Sequence, residues 1–222
     1  MSILGFLLGR EEDLRSFGMN LDPIYSLISL LLFFTFNATS LLLLQLKISC
    51  SSVVLDDRVR AFLEVKGSLF IYSWALISLS WFLTVALFSR YVPKELNMRR
   101  RKYFYLISNC SIIYAIVGGL NTIILAILPG RIISCEGTEW RDLLSRFSVE
   151  MMDYLFSFPN SVFPILSLIS IIWFSWILFR VHRISFGMNL YKSFLYSIGF
   201  TIIFISLSAL LISASAITLL LL

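Results

Sequence analysis

The sequence predicts an all-α integral membrane protein, a bundle of five transmembrane helices with an interfacial amphipathic helix between spans three and four. Three observations carry that expectation. Of 222 residues, 59% are hydrophobic and only 14% charged, whereas a soluble domain typically has about a quarter of its residues charged. The charges are also clustered: none falls between Asp22 and Lys47, Lys66 and Arg90, Lys102 and Arg131, or Asp153 and Arg180, nor after Lys192. Each interval exceeds the roughly 20 apolar residues that cross a hydrocarbon core. Finally, runs such as Leu30-Leu31-Leu32-Phe33-Phe34 and Leu41-Leu42-Leu43-Leu44 do not alternate. Lipid leaves only helices or closed barrels able to satisfy their own backbone, and barrel strands would alternate over about 10 residues.

The chain opens with Ile3 to Leu8, apolar but too short to span, followed by Arg10-Glu11-Glu12-Asp13. A cleavable signal would put its basic region first. With Leu14, Phe17 and Met19, this stretch reads instead as a short interfacial helix. A single membrane domain follows, with spans over about 23–46, 67–89, 103–129, 160–181 and 193–221. Span one, starting near Pro23, would act as an uncleaved insertion signal.

Basic residues set the orientation. Side A, the side of the N-terminus, carries Arg10, Arg15, Arg90, Lys94, Arg99, Arg100, Arg101, Lys102, Arg180, Arg183 and Lys192. Side B carries the remaining Lys47, Arg58, Arg60, Lys66, Arg131, Arg141 and Arg146, together with most of the acids. The N-terminus is therefore expected in the cytoplasm and the C-terminus outside, with a prokaryotic cell membrane favoured over a eukaryotic endomembrane.

The longer side-B loop holds a predicted interfacial helix over about 138–156. Thr138 can cap it, and Glu139 suits the positive end of its dipole. Trp140, Leu143, Leu144, Phe147, Met151, Tyr154 and Leu155 recur at helical spacing as one apolar stripe. Such a helix lies flat in the headgroup boundary. It serves either as a connector over the bundle ends or as a partner-docking surface.

Within the spans, polar and small residues mark expected helix contacts. They are Thr35, Asn37 and Thr39, then Asn109, Gly118, Gly119, Asn121 and Thr122, then Ala209 and Ser213 in the last span. Small residues let helices approach, and Asn can bond across them. Trp74, Trp81, Trp173 and Trp176 sit inside their spans and are expected to fill space between helices, each indole N–H seeking a partner.

No Asp or Glu lies inside a span, and basic residues stand only at span ends, which argues against a proton-coupled transporter or pump. A passive pore lined by hydroxyls and backbone carbonyls stays open. The only histidine, His182, lacks the neighbouring ligands of a zinc site and reads as an interfacial residue near headgroups. Cys50, Cys110 and Cys135 form no CxxC pair. Cys50 and Cys135 share side B, where an oxidising compartment would let a disulfide persist. GxSxG, HExxH, Walker and GxGxxG patterns are all missing. The run Arg99-Arg100-Arg101-Lys102 is a topology signal and a contact for anionic lipid, worth about 1 kcal/mol per basic residue. There is no basic domain for nucleic acid.

A loop Glu136-Gly137-Thr138-Glu139-Trp140 leads into a helix; Pro159 and Pro164 open a span containing Trp173; His182-Arg183-Ile184-Ser185-Phe186 then precedes Lys192 and the last span. In these features the last third resembles the Yip1 family of five-span membrane proteins. The resemblance implies a non-catalytic bundle associated with membrane traffic in eukaryotes. Taken together, the sequence is expected to encode a non-enzymatic scaffold, assembly or membrane-organising subunit without cofactor or metal, whose partners are membrane lipids and other integral membrane subunits. The alternative is a passive channel or uncoupled carrier lined by Asn37, Asn109, Asn121 and span hydroxyls. A lipid-modifying enzyme would need the loop carboxylates and a bound metal.

Overall fold

The computed structural model describes residues 3–19, 23–50, 69–95, 100–133, 149–150 and 152–221. Two short helices, α1 (Ile3–Leu7) and α2 (Glu11–Met19), precede the long α3 (Pro23–Leu46). A strand β1 (Ile48–Cys50) follows, then α4 (Leu69–Glu95), α5 (Arg100–Cys110) and α6 (Ile112–Ile127). Strand β2 (Arg131–Ile133), α7 (Val162–Ile184) and α8 (Leu190–Leu221) complete the order. Among the described residues, five stretches are long and apolar enough to cross a membrane: Pro23–Leu44, Ile71–Val92, Arg100–Ile127, Val162–Ile184 and Leu190–Leu211. The protein is thus a multi-pass, all-α membrane bundle.

Local chemistry sets where the helices start and stop. Pro23 opens α3 at its first position, where its missing N–H is not needed. Leu128 is extended (φ −63°, ψ 142°), as the residue before Pro129 must be, and this ends α6. Gly187 takes φ +66° in the turn between α7 and α8. The third span, expected as one helix, is broken at Ser111. There the Ser111 N–H donates to the Ser108 carbonyl (3.2 Å), and its hydroxyl donates to the same oxygen (2.6 Å). That tight turn joins α5 to α6 within one crossing.

The core is aromatic, and every span contributes to it. Phe33 of α3, Trp81 of α4, Tyr114 of α6, Phe174 of α7 and Phe204 of α8 converge. Trp81 sits 5.4 Å from Phe33 and 5.4 Å from Phe204, and Tyr114 lies 4.6 Å from Phe174. Such pairs contribute about 0.5–1.5 kcal/mol each beyond the area they bury, which matters where lipid supplies no hydrophobic drive between helices.

α3 and α6 form the most extensive helix pair. They cross the membrane in the same direction, so the strands that continue them pair in parallel, with Ile48 opposite Arg131 and Cys50 opposite Ile133. This three-residue ladder was not foreseen in the sequence. Lys47 caps the end of α6 by donating to the carbonyls of Ala126 (3.3 Å) and Leu128, a cation placed at the negative pole of a helix.

The predicted interfacial helix falls partly outside the described residues: Trp140, Leu143, Leu144, Phe147 and Met151 all lie outside them. Residues 149–150 and 152–156 are helical. Val149 and Met152, off the predicted stripe, are exposed, while Tyr154 on it is buried. The Tyr154 hydroxyl donates to the Pro129 carbonyl (2.9 Å), and Arg131 ion-pairs with Glu150 at 3.1 Å. Burial raises the Tyr154 phenol above its ordinary pKa. Side B is therefore tied together through the end of α6.

Candidate functional site

A buried polar cluster lies on side A, where α7 meets α1, α2, α5 and α8. Phe174, Ile177, Leu178, Val181 and His182 are all buried, and their spacing makes one stripe along α7. On α8, Ser193, Ser197 and Thr201 stand four apart and are also buried. Each hydroxyl donates to the carbonyl four residues back: Ser193 to Asn189 (2.9 Å), Ser197 to Ser193 (2.7 Å) and Thr201 to Ser197 (3.0 Å). This hydroxyl stripe faces α7, with Thr201 at 2.9 Å from the Ser175 hydroxyl and Ser197 at 2.9 Å from His182 Nδ1.

His182 uses both ring nitrogens: Nδ1 pairs with the Ser197 hydroxyl, and Nε2 faces the Tyr103 hydroxyl at 3.4 Å. Tyr103, Phe186 and Tyr196 surround the imidazole at centroid distances of 6.0, 5.6 and 6.3 Å. His182 is 0% exposed. The expectation of an interfacial residue near headgroups is thereby corrected: the ring joins three helices inside the bundle. Its local sequence, between Arg180 and Arg183, matches that of a membrane anchor; the difference lies in the rotation of α7.

The N-terminal helices are likewise packed into the bundle rather than resting on its surface. Phe6 and Leu14 belong to the buried core. The Trp173 indole donates to the Leu7 carbonyl (2.8 Å), the Arg180 guanidinium donates twice to the Gly9 carbonyl (3.2 and 3.0 Å), and the Ser185 hydroxyl donates to the Leu14 carbonyl (3.1 Å). Trp173 stands eleven residues before the end of α7, so α1 reaches about 16 Å down that helix at 1.5 Å per residue. Backbone at membrane depth must have its polar groups satisfied. Gly9, at φ +69°, closes α1: its N–H donates to Phe6 and the Arg10 N–H donates to Gly5 (2.9 and 2.8 Å). Arg180 takes the Gly9 carbonyl that this turn leaves over, and its guanidinium also lies 5.9 Å from the Trp176 ring.

The predicted packing residues divide. Gly118 sits in the α3–α6 seam, where its carbonyl accepts from Ser40 (3.0 Å) and Thr122 (2.8 Å) while Asn37 donates to the Phe33 and Tyr114 carbonyls. Gly119 faces Phe36. Asn121 reaches across to Ser167 on α7 (3.3 Å), and Asn109 to Ser26 on α3 (3.0 Å). Thus the three asparagines expected to line a pore each bond between helices. Ala209 is exposed, and the side chain of Ser213 lies outside the described residues. Trp81 is fully buried and Trp173 bonded, but Trp176 is 51% exposed, which corrects its expected role as a filler between helices. Arg100, Arg101 and Lys102 are exposed at the start of α5; Arg99 lies outside the described residues. So does Cys135, and the side chain of Cys50 is not among those described. Cys110 is a buried free thiol. Among the described residues, no group of three or more His, Cys, Asp or Glu side chains is placed to hold a metal ion.

A scan against protein-family models and searches of curated proteins and of solved structures find no match to this chain.

Proposed function

We propose that this protein is a non-enzymatic scaffold or assembly subunit that docks other integral membrane proteins on the flank formed by α7 and α8. The observation that carries this reading is an imbalance in burial. The α7 and α8 spans bury 22% of their most apolar stretch, against 39–50% for the other three. Ile165, Leu168, Ile169, Ile172 and Trp176 of α7 are exposed at helical spacing, as are Leu195, Ile198 and Ile202 of α8. Behind them the same two helices are locked by the Ser175–Thr201 and His182–Ser197 bonds. A rigid back with a broad apolar front is what a helix-docking surface requires. The interior filled with rings, and the asparagines used in helix seams, weigh against the passive-channel reading. The proposed orientation keeps side A in the cytoplasm, on the strength of its basic residues.

Photo-crosslinking tests the proposal in native membranes. A crosslinker at Ile169 or Ile202 is expected to give discrete protein adducts, while one at Ile71 on α4 gives lipid adducts only. Lipid adducts at all three positions would overturn the scaffold reading, as would recovery of the chain from native membranes as a lone monomer.

A further inference from the structure

We infer that a groove between α4 and α5 is a binding site for one anionic glycerophospholipid, independent of any docking on α7 and α8. On α4, Phe82, Val85, Ala86 and Ser89 recur at helical spacing and form one wall; on α5, Arg100, Arg101 and Phe104 form the other. The groove is open to the surface and has a volume of about 410 Å³, within the ~300–1,000 Å³ of small-molecule sites.

Its polarity is graded along the membrane normal. Ser89 lies at the side-A end of α4 and the two arginines at the side-A start of α5. Phe82 is seven residues deeper, about 10 Å at the rise of a helix, and Phe104 is about 6 Å below Arg100 on the same measure. The two phenyl rings stack at 6.1 Å with planes 7° apart and form an apolar floor. A groove with a polar, cationic mouth at headgroup level and an aromatic floor in the hydrocarbon has the layout of a phospholipid: phosphate above, acyl chain below.

Charge selects the headgroup. Among the described residues, no acidic side chain lines the groove and neither arginine has an ion-pair partner. Arg101 is held in place, its Nε donating to the Tyr105 hydroxyl at 2.8 Å and its guanidinium lying 5.5 Å from that ring. A guanidinium has five N–H donors, so its outer edge remains for a phosphate. An oriented arginine beside a second one suits bidentate phosphate recognition, which a lysine would supply only as a point charge.

The test uses the full-length protein, purified in detergent and equilibrated with equal amounts of phosphatidylglycerol and phosphatidylcholine, read by native mass spectrometry. One phosphatidylglycerol per chain is expected to be retained in preference. The double variant R100Q/R101Q should lower that preference about 30-fold, from about 1 kcal/mol for each basic residue. Ala86→Trp, which fills the groove and leaves both charges, should lower phosphatidylglycerol retention as well; because Ala86 is exposed, Ala86→Leu provides a milder filling. Glycerol 3-phosphate should not displace the lipid, since it lacks the chain that the floor receives. Retention unchanged in both Ala86 variants would reduce the site to surface electrostatics and overturn the inference. An unchanged preference in R100Q/R101Q, or displacement by glycerol 3-phosphate, would overturn it too.

Discussion

Adjacent glycines in α6 should respond to the same substitution with very different energies. A Cβ on Gly118 would stand 2.9 Å from Asn37 Nδ2 and 3.2 Å from both Asn37 Cγ and Phe36 Cβ. The amide cannot swing away cheaply, because it donates to the Phe33 carbonyl at 2.8 Å and to Tyr114 at 3.2 Å. A Cβ on Gly119 meets nothing nearer than the Phe36 ring at 3.7 Å, an ordinary contact. Both changes alter helix propensity equally, so that contribution cancels in the comparison. What remains is the overpacking cost at Gly118, about 1–3 kcal/mol, with a further ~0.6 kcal/mol if the interhelical bond of Asn37 is lost. The folded-to-unfolded ratio of Gly118→Ala should therefore fall roughly 5- to 400-fold below that of Gly119→Ala. Equilibrium unfolding in mixed micelles measures both. Adding Asn37→Ala to Gly118→Ala should recover part of the loss, as coupling in a double-mutant cycle. Equal stability of the two glycine variants would refute the close approach of α3 and α6.

The side-A cluster gives a second prediction. His182→Ala leaves a cavity and takes a partner from both Ser197 and Tyr103, and should cost about 2–4 kcal/mol; thermal unfolding of the purified protein, compared with the exposed-site change Arg183→Ala, checks this. Arg180→Met should release the N-terminal turn by leaving the Gly9 carbonyl without its charged donor, a loss of about 1.5–3 kcal/mol. Hydrogen exchange should then rise over residues 3–14 and stay unchanged in α4, and a uniform rise would refute local docking. Peptide mapping of non-reduced protein should recover Cys50 joined to Cys135, while Cys110 stays a thiol; alkylation of all three cysteines would dispose of that disulfide.

The spans were legible because lipid exacts a simple rule: about 20 residues without charge. Charge gaps alone located all five crossings. The faces of those spans were far less legible. In water a helix shows its buried side by apolar periodicity, but in a membrane both sides are apolar. The stripe from Phe174 to His182 therefore looks no different in sequence from the outward stripe from Ile165 to Trp176, and His182 reads as an anchor until the rotation of α7 is known. The hydroxyl spacing Ser193, Ser197 and Thr201 was a usable signal for the inner face of α8. Nothing comparable flags α1, whose depth follows from Trp173 and Arg180, more than 160 residues away in sequence. The break at Ser111 rests on a hydroxyl bond that any serine in a helix can make, so it too escapes sequence reading.

The parallel pairing of β1 with β2 also has a consequence for biogenesis. Arg131 leaves the ribosome about 80 residues after Ile48, an interval of roughly 4–16 s at 5–20 residues per second. Throughout that interval α3 sits in the bilayer without its main neighbour. Its polar side chains are equipped for the delay: Asn37 donates to Phe33, Thr39 to Thr35 and Ser40 to Phe36, all within the same helix. When α6 arrives, the second N–H of Asn37 reaches Tyr114, and the single hydroxyl hydrogen of Ser40 is shared between Phe36 and Gly118. The first span can thus be inserted early with the hydroxyls of Thr39 and Ser40 and one N–H of Asn37 already bonded within their own helix.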